Sequence, residues 1–301
     1  MSTSSEEKIQ VLLVTGEVSV EHDPKVSSWL RRMLESTDRF KAKITEEFRG
    51  CTAETLSHFD LVILNYDGEF PGSGHEAIPL GATAERALID YVSSGKGILF
   101  FHSAIWNTPW PEEFHRMMGA WCDISAGSRK NPVIEFPIKT SNVSHPITEG
   151  LEPVWNTVQE DLFAGLVWHP AARVEVLATA FDNLEGYRKI QPHAAYMIPP
   201  GGPETMRDVN QDQPVAWTHH YGEGRVFVIT VGHGIDTLRR PSFVGLFCRA
   251  AEWAATGNVT TPLPDLKGEN RRLAWPYYST PSIVEYSSLI PWCAVENFKA
   301  H

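Results

Sequence analysis

Three short apolar runs, each followed by a turn, most limit what this chain of 301 residues can fold into. They are Ile9–Thr15, Asp60–Asn65 and Gly97–Phe101, and such runs are typical of strands buried on both faces of a parallel sheet. Between them, Pro24–Ser36 and Thr83–Ser93 carry apolar residues at helical spacing. The alternation predicts an α/β fold in which a mostly parallel, doubly wound sheet has helices on both faces.

The second half of the chain has a different pattern. Asn131–Thr140 and Val174–Phe181 alternate apolar and polar residues more regularly, and Pro214–His219 with Gly224–Val231 is typical of a β-hairpin. Alternation indicates strands that expose one face, so we expect these strands to extend the sheet antiparallel at one edge. A predicted helix, Phe243–Thr256, follows them.

Composition changes after Gly257. Thr260–Pro264 is rich in Pro and Thr, yet the residues beyond it keep several aromatic side chains, such as Trp275 and Tyr277. A disordered tail would be poor in aromatic residues. We therefore predict an α/β domain over residues 8–257 and an extended aromatic arm over residues 258–301, packed on its own domain or on a second subunit. The second arrangement would make the protein a homodimer through this arm.

Charge and composition exclude several classes of partner. The formal net charge is −11, and Lys and Arg form no cluster in the sequence, so we expect neither nucleic acid nor an anionic membrane surface as a partner. The N-terminal residues lack the apolar segment of a secretory signal. No apolar run approaches the roughly 20 residues that span a bilayer, and the four cysteines are scattered without a CxxC pair. These features predict a cytoplasmic protein.

The segment Gly95–Ile105, GKGILFFHSAI, places a histidine directly after an apolar run. Many α/β enzymes carry a Ser or Cys nucleophile on a sharp turn at this place. Here the residue is His102, and Ser103 follows it. Ligands of α/β sheets collect at the carboxyl ends of the strands, so His102 is a candidate catalytic residue.

Other polar residues follow other strands or lie between them. His22 follows the first predicted strand, Tyr66 and Asp67 follow the third, and His233 follows the predicted hairpin. Glu160 lies between two strand-like runs. Because parallel strands end at one edge of the sheet, we expect these groups to approach one crevice, with Tyr66 and Asp67 binding substrate.

Each candidate also has a structural alternative. A lone His after a strand is more often a hydrogen-bonded loop residue, and Asp67 with Gly68 is a common turn pair. Trp106 is either a core residue or a substrate-binding platform, because an aromatic face stacks on the C–H groups of a sugar ring. The glycine-rich segment Gly68–Gly81 lacks the spacing of a phosphate-binding loop, so no nucleotide cofactor is expected.

Several segments together resemble the trehalose-utilisation (ThuA-like) family, a branch of the class I glutamine-amidotransferase-like superfamily. The resemblance extends over residues 8–256 and depends on the order and spacing of Val11–His22, Gly95–Ala104, Arg116–Trp121, Ser144–Leu151, Gln159–Asp161, Pro214–His233 and Ala250–Ala254. It implies a flavodoxin-like three-layer fold in which His102 occupies the turn of the missing amidotransferase nucleophile. It also implies a role in sugar catabolism, often beside dehydrogenases that make 3-keto-glycosides, and a set of site residues: His22, His102, Glu160 and His233.

The chain departs from the family pattern at two positions. The family often has Asp-Glu where this chain has Gln159-Glu160, and it often has a His where this chain has Gln213 before Pro214. Both departures slightly favour a protein that has lost or altered the family's activity.

Two functions are compatible with these residues. The first is an enzyme, a hydrolase, lyase or isomerase, that acts on a sugar or a 3-keto-glycoside by proton transfer, with His102 or His22 as the base. Glu160 would orient a partner or act as an acid. A divalent cation (Zn²⁺, Mn²⁺ or Fe²⁺) held by His102, Glu160 and His233 would polarise the carbonyl group.

The second function is a sugar-binding or scaffold protein without catalysis. Fold alone does not establish activity, so this alternative stays open. A glutaminase is a distant third, since none of the four cysteines lies at the turn that His102 occupies. Under the first two hypotheses the partner is a small-molecule carbohydrate.

Overall fold

The computed structural model describes residues 7–16, 25–66, 80–106, 110–131, 134–188 and 198–264. The strands of these residues are β1 (Ile9–Val14), β2 (Phe40–Thr45), β3 (Leu61–Leu64), β4 (Gly97–Phe101), β5 (Ala120–Trp121), β6 (Arg129–Lys130), β7 (Pro137–Thr140), β8 (Val154–Asn156), β9 (Phe163–Ala164), β10 (Val167–Trp168), β11 (Glu175–Phe181), β12 (Asp212–Tyr221) and β13 (Gly224–Ile229). The α-helices are α1 (Val26–Ser36), α2 (Ala53–Leu56), α3 (Ala82–Ser93), α4 (Glu112–Met118), α5 (Leu184–Tyr187), α6 (Ile235–Leu238) and α7 (Pro241–Thr256).

Nine of these strands form one mixed sheet in the order β2-β1-β3-β4-β13-β12-β11-β7-β8. The first five strands in this order are parallel, and the other four continue the sheet antiparallel. The predicted α/β class with antiparallel additions at one edge is therefore confirmed. Because β4 and β13 are neighbours, with Phe101 opposite Ile229, the residues after these strands leave the sheet side by side.

Helices cover both faces of the sheet. In β4, Leu99 and Phe101 pack with residues of α1, α6 and α7, whereas Ile98 and Phe100 pack with residues of α2, α3 and α4. Burial on both faces explains why this strand is apolar throughout. Within the described ranges, no helix combines the length and the apolar character needed to cross a bilayer.

The predicted strand Asn131–Thr140 is wrong in its first part. The main sheet takes Pro137–Thr140 as β7, and β6 precedes it and pairs with β9 in a separate two-stranded ribbon, called the β6–β9 ribbon below. The cause lies in the backbone bonds: the N–H groups of Asn131 and Ile134 donate to the carbonyls of Leu162 and Glu160, outside the main sheet. The Arg129 guanidinium on β6 donates to the carboxylate of Asp182 and to the hydroxyl of Tyr187.

The first residues of the predicted arm lie along α7. The buried carboxylate of Glu252 accepts the backbone N–H groups of Thr260 at 2.8 Å and Thr261 at 2.7 Å. It also pairs with the Arg39 guanidinium at 3.0 Å. The arm beyond residue 264 lies outside the described residues, so the homodimer stays a prediction.

We expect Glu252→Gln to lower the free energy of unfolding by about 2–3 kcal/mol at neutral pH, because hydrogen bonds to a charged group are worth about 1.5–3 kcal/mol each. Burial raises the pKa of Glu252, but the bonds from Thr260 and Thr261 outweigh burial and lower it. A lowered pKa contributes stability above the ordinary value of about 4.3 and loses it as pH falls through the folded-state value. The difference in the free energy of unfolding between wild type and variant, measured by urea unfolding, should therefore become smaller in acid. A difference that does not depend on pH would contradict this account.

Gly232 allows the loop after β13 to approach β4. Its φ is +143°, and an added Cβ would lie 2.2 Å from Cζ of Phe101. Gly232→Ala should lower the free energy of unfolding by about 2–4 kcal/mol through overpacking and backbone strain. Gly234→Ala is the matched control, since its φ is −137° and no atom lies within 4 Å of its added Cβ. In denaturant unfolding, the free energy of unfolding of the control should differ from that of the wild type by less than about 0.5 kcal/mol. Equal losses of stability in both variants would refute the steric explanation.

Candidate functional site

His102 lies on a sharp turn between β4 and the 3₁₀ segment His102–Ile105. Its φ is +46°, in the left-handed region that non-glycine residues seldom occupy. Such strained strand-to-helix turns carry the nucleophile in many α/β enzymes. The sequence therefore places an imidazole where related architectures place a reactive group.

The His102 imidazole has a defined tautomer. The side chain is buried, and its Nδ1 lies 2.6 Å from the backbone carbonyl of Thr230, which follows β13. A carbonyl oxygen only accepts hydrogen bonds, so Nδ1 carries the hydrogen. In the neutral ring, Nε2 is then the nitrogen with the lone pair, and it can accept a proton or a cation.

His233 lies in the loop after β13, close to His102. The two ring centroids are 5.8 Å apart and the rings meet edge to face. Nδ1 of His233 is 3.5 Å from Oδ2 of Asp161, and the side chain of His233 is 16% exposed. The structure therefore brings together two of the histidines that the sequence analysis selected.

Glu160 is buried and holds this arrangement in place. Its Oε1 accepts the backbone N–H of His233 at 2.9 Å and that of Asp161 at 3.2 Å. Burial, with a smaller effect from the charge of Asp161, raises the pKa of Glu160 to about 8. The carboxyl group is thus mostly neutral at neutral pH, which suits a group that positions the backbone of the loop.

Asp161 supplies the negative charge of the site, although it is 1% exposed. Burial raises its pKa, but the neighbouring His233 and Lys130 outweigh burial and hold the pKa well below its usual range. The Lys130 ammonium, on β6, is 3.5 Å from Oδ2. For His233, burial lowers the pKa, and the proximity of Asp161 outweighs burial and raises it. Asp161 therefore favours the protonated form of His233 in the absence of a metal.

Aromatic rings form one wall of the site. Phe163, on β9, stacks on His102 with ring centroids 5.0 Å apart. Trp106 lies beside Phe163, with ring centroids 5.1 Å apart. The side chains of Lys130 and His233 are 22% and 16% exposed, so the cluster opens to solvent on their side.

The structure places the other predicted site residues as follows. Tyr66 is buried, with its ring centroid 6.1 Å from that of Trp110, and its role in substrate binding stays a prediction. His22 and Asp67 lie outside the described residues. Their predicted roles stay predictions.

The carboxylate that lies within reach of both histidines is that of Asp161, next to the predicted ligand Glu160. His102, Asp161 and His233 each offer a ligand atom, and these atoms all lie within 4.8 Å of one another. Glu160, which the sequence analysis chose, instead binds backbone N–H groups. The sequence analysis missed Asp161, Lys130 and Phe163; the acidic pair Glu160-Asp161 before an apolar run was a signal for the first of them.

Comparisons with known proteins support the resemblance that the sequence showed. The solved structure of a ThuA-like protein from Parabacteroides merdae ATCC 43184 is 23% identical, with a TM-score of 0.67 over 86% of this chain and 94% of that chain. A ThuA-like protein from Bacteroides uniformis ATCC 8492 is 18% identical, with a TM-score of 0.61 over 89% of this chain and 99% of that chain. A cytoplasmic protein from Salmonella typhimurium LT2 is 11% identical, with a TM-score of 0.50 over 82% of this chain and 99% of that chain.

At these identities the solved structures show the fold alone, and no curated protein matches this sequence. The family model described as trehalose utilisation, in contrast, matches residues 10–254. Since this match extends over most of its length, the chain belongs to the trehalose-utilisation (ThuA) family, whose role is related to carbohydrate use.

Proposed function

We propose that this protein is an enzyme of carbohydrate catabolism that acts on a sugar or a 3-keto-glycoside by moving a proton at a carbon next to a carbonyl group. The supporting observation is His102, a buried imidazole with one defined tautomer on a strained turn. Backbone strain persists where the surrounding structure requires it, and it clusters at functional sites. A keto group acidifies the neighbouring C–H, and imidazole has a pKa suited to removing that proton near neutral pH.

The two histidines take opposite roles. His102 accepts the proton from carbon at Nε2, because its Nδ1 hydrogen is committed to Thr230. His233, whose protonated form Asp161 favours, donates a proton to the carbonyl oxygen as negative charge develops there. Groups that differ in environment in this way are suited to act as acid and base in one step. Glu160 acts indirectly by positioning the backbone of His233.

The product of this step is an enediol, and its fate decides the reaction class. In a 3-keto-glycoside the acidified C–H adjoins the anomeric carbon. In a lyase, the carbonyl re-forms with loss of the enol proton, the bond from the anomeric carbon to the glycosidic oxygen breaks, and the aglycone leaves as an alcohol that takes up a proton. Addition of water to the resulting enone would make the enzyme a hydrolase. Return of the proton to the former carbonyl carbon would instead make it an isomerase. Trp106, beside Phe163, is the proposed platform for the sugar ring.

His102→Ala tests the proposal. We expect turnover of 3-keto-glucosides to fall by about 10²–10⁴-fold, the usual contribution of a general base, while far-UV circular dichroism and thermal unfolding show an intact fold. Turnover near that of the wild type would contradict the assignment of His102.

His219→Gln is the matched control. His219 is another buried histidine, bound through Nδ1 to the backbone carbonyl of Arg173 at 3.0 Å, and it belongs to no part of the site. Its variant should turn over substrate like the wild type. An equal loss in both variants would point to general destabilisation rather than catalysis.

The alternative is a sugar-binding protein without catalysis on the same fold. Incubation with glucosides and 3-keto-glucosides separates the two: saturable binding with no conversion indicates the binding protein. The carbohydrate partner and the cytoplasmic location belong to both proposals, as do the expected absence of nucleic-acid and membrane partners and of a nucleotide cofactor.

A further inference from the structure

We propose that His102, Asp161 and His233 form a binding site for one divalent first-row transition metal ion, Zn²⁺, Mn²⁺ or Fe²⁺. The ligand atoms of the three side chains lie within 4.8 Å of one another. Two imidazoles and a carboxylate form a donor set that these ions use in proteins, whereas Mg²⁺ and Ca²⁺ prefer oxygen ligands alone. Binding depends on this geometry, and only its catalytic consequence rests on the proposed function.

His102 already has the orientation that a metal ligand needs. Histidines that bind metals almost always donate the other ring N–H to a carboxylate, a backbone carbonyl or water. His102 donates Nδ1–H to the Thr230 carbonyl at 2.6 Å, which makes Nε2 the lone-pair nitrogen. The ring is further fixed by Phe163, which stacks on it. The ligand is therefore preorganised in its tautomer and its orientation.

The surroundings of Asp161 support the metal site independently of His102. It is 1% exposed, and neither carboxylate oxygen has a hydrogen-bond partner among the described residues. The nearest cationic atoms, Lys130 Nζ and His233 Nδ1, are each 3.5 Å from Oδ2, beyond the roughly 2.7–3.2 Å of a normal N–H···O bond. Leaving a buried carboxylate without hydrogen bonds is costly. A cation between Asp161 and the two imidazoles would satisfy its lone pairs directly.

A bound ion would draw the ligand atoms closer together. Zinc binds nitrogen and oxygen ligands tetrahedrally at about 2.0–2.2 Å, which places two ligand atoms about 3.3–3.6 Å apart. The three ligand atoms lie within 4.8 Å of one another, so the side chains would close by at most about 1.5 Å. His233 is the partly exposed member of the three, at 16%, and rotation of its side chain is the simplest way to close the gap.

A bound ion would change how the proposed reaction is divided among the residues. The ion would replace the proton on His233 as the group that polarises the carbonyl oxygen. Since Nε2 of His102 would then be a ligand, it could not accept the proton from carbon. The ion would supply a base in its place, because a metal lowers the pKa of bound water to about 7 and so makes hydroxide available at neutral pH.

The test uses the full chain, stripped of metal with a chelator and then titrated separately by calorimetry with Zn²⁺, Mn²⁺, Mg²⁺ and, in the absence of oxygen, Fe²⁺. We expect one equivalent of Zn²⁺ or Mn²⁺ to bind and Mg²⁺ not to compete. Asp161→Asn and His233→Asn should each weaken binding by more than about 100-fold, since loss of an outer hydrogen-bond partner alone costs about 10–100-fold. His219→Gln should bind like the wild type.

A second measurement does not depend on the folding of any variant. The melting temperature of the wild-type chain should rise with Zn²⁺ concentration, because a ligand of the folded state stabilises it. Absence of saturable binding by Zn²⁺, Mn²⁺ and Fe²⁺ would overturn the site, as would unchanged affinity in both variants. Stoichiometric binding without turnover of any keto-glycoside would support the site and count against the proposed function.

Discussion

The hydrogen bond from Nδ1 of His102 to the Thr230 carbonyl is the interaction on which the candidate site depends. It joins the ends of two neighbouring parallel strands, β4 and β13, in an interior where both residues are buried. Leaving such a buried polar group unpaired costs about 1–3 kcal/mol. That is comparable with the roughly 1–2 kcal/mol that a left-handed backbone costs an ordinary residue. One bond can thus hold His102 in its strained conformation and select its tautomer.

Two adjacent carboxyl groups then perform different tasks because their surroundings differ. Glu160 bonds to backbone N–H groups, and burial keeps it largely neutral. Asp161 has Lys130 and His233 beside it, and these keep it ionised. Two neighbouring carboxylates do not readily ionise together, so the neutrality of Glu160 supports the charge of Asp161. The site therefore contains one positioning carboxyl and one charged carboxylate.

The sequence could predict the central sheet because burial on both faces leaves a direct signal. β4 is apolar throughout for this reason, and the residue that ends it, His102, was found from that signal alone. The meeting of His102 with His233 was also predictable, since both follow strands that end at one edge. Which of the adjacent residues Glu160 and Asp161 lies beside the two histidines could not be predicted, because both are carboxylic acids and no spacing rule indicates the left-handed φ of +45° at Gln159 before them.

Long-range polar contacts explain the rest of what the sequence could not show. Lys130 reaches the site only because β6 pairs with β9 in a ribbon, and the sequence analysis assigned Asn131, the next residue, to a strand. Arg129, on that ribbon, has its partner Asp182 far away in sequence. Neither the residue types nor the hydrophobic periodicity of the sequence indicates such a pairing.

One of the two departures from the family pattern, Gln213, contacts the residue that follows β9 of the β6–β9 ribbon. The side-chain amide of Gln213 accepts the backbone N–H of Gly165 at 3.1 Å and donates to the carbonyl of Asp208 at 2.8 Å. Gly165 directly follows β9, the strand that carries Phe163 against His102. Gln213 therefore supports the wall of the site from outside, and its presence is no argument for lost catalysis. Gln159, which directly precedes the two carboxyl groups, has a left-handed backbone conformation with a φ of +45°. The proposed activity therefore rests on His102, Asp161 and His233, and its test rests on variants of these residues rather than on the two glutamines.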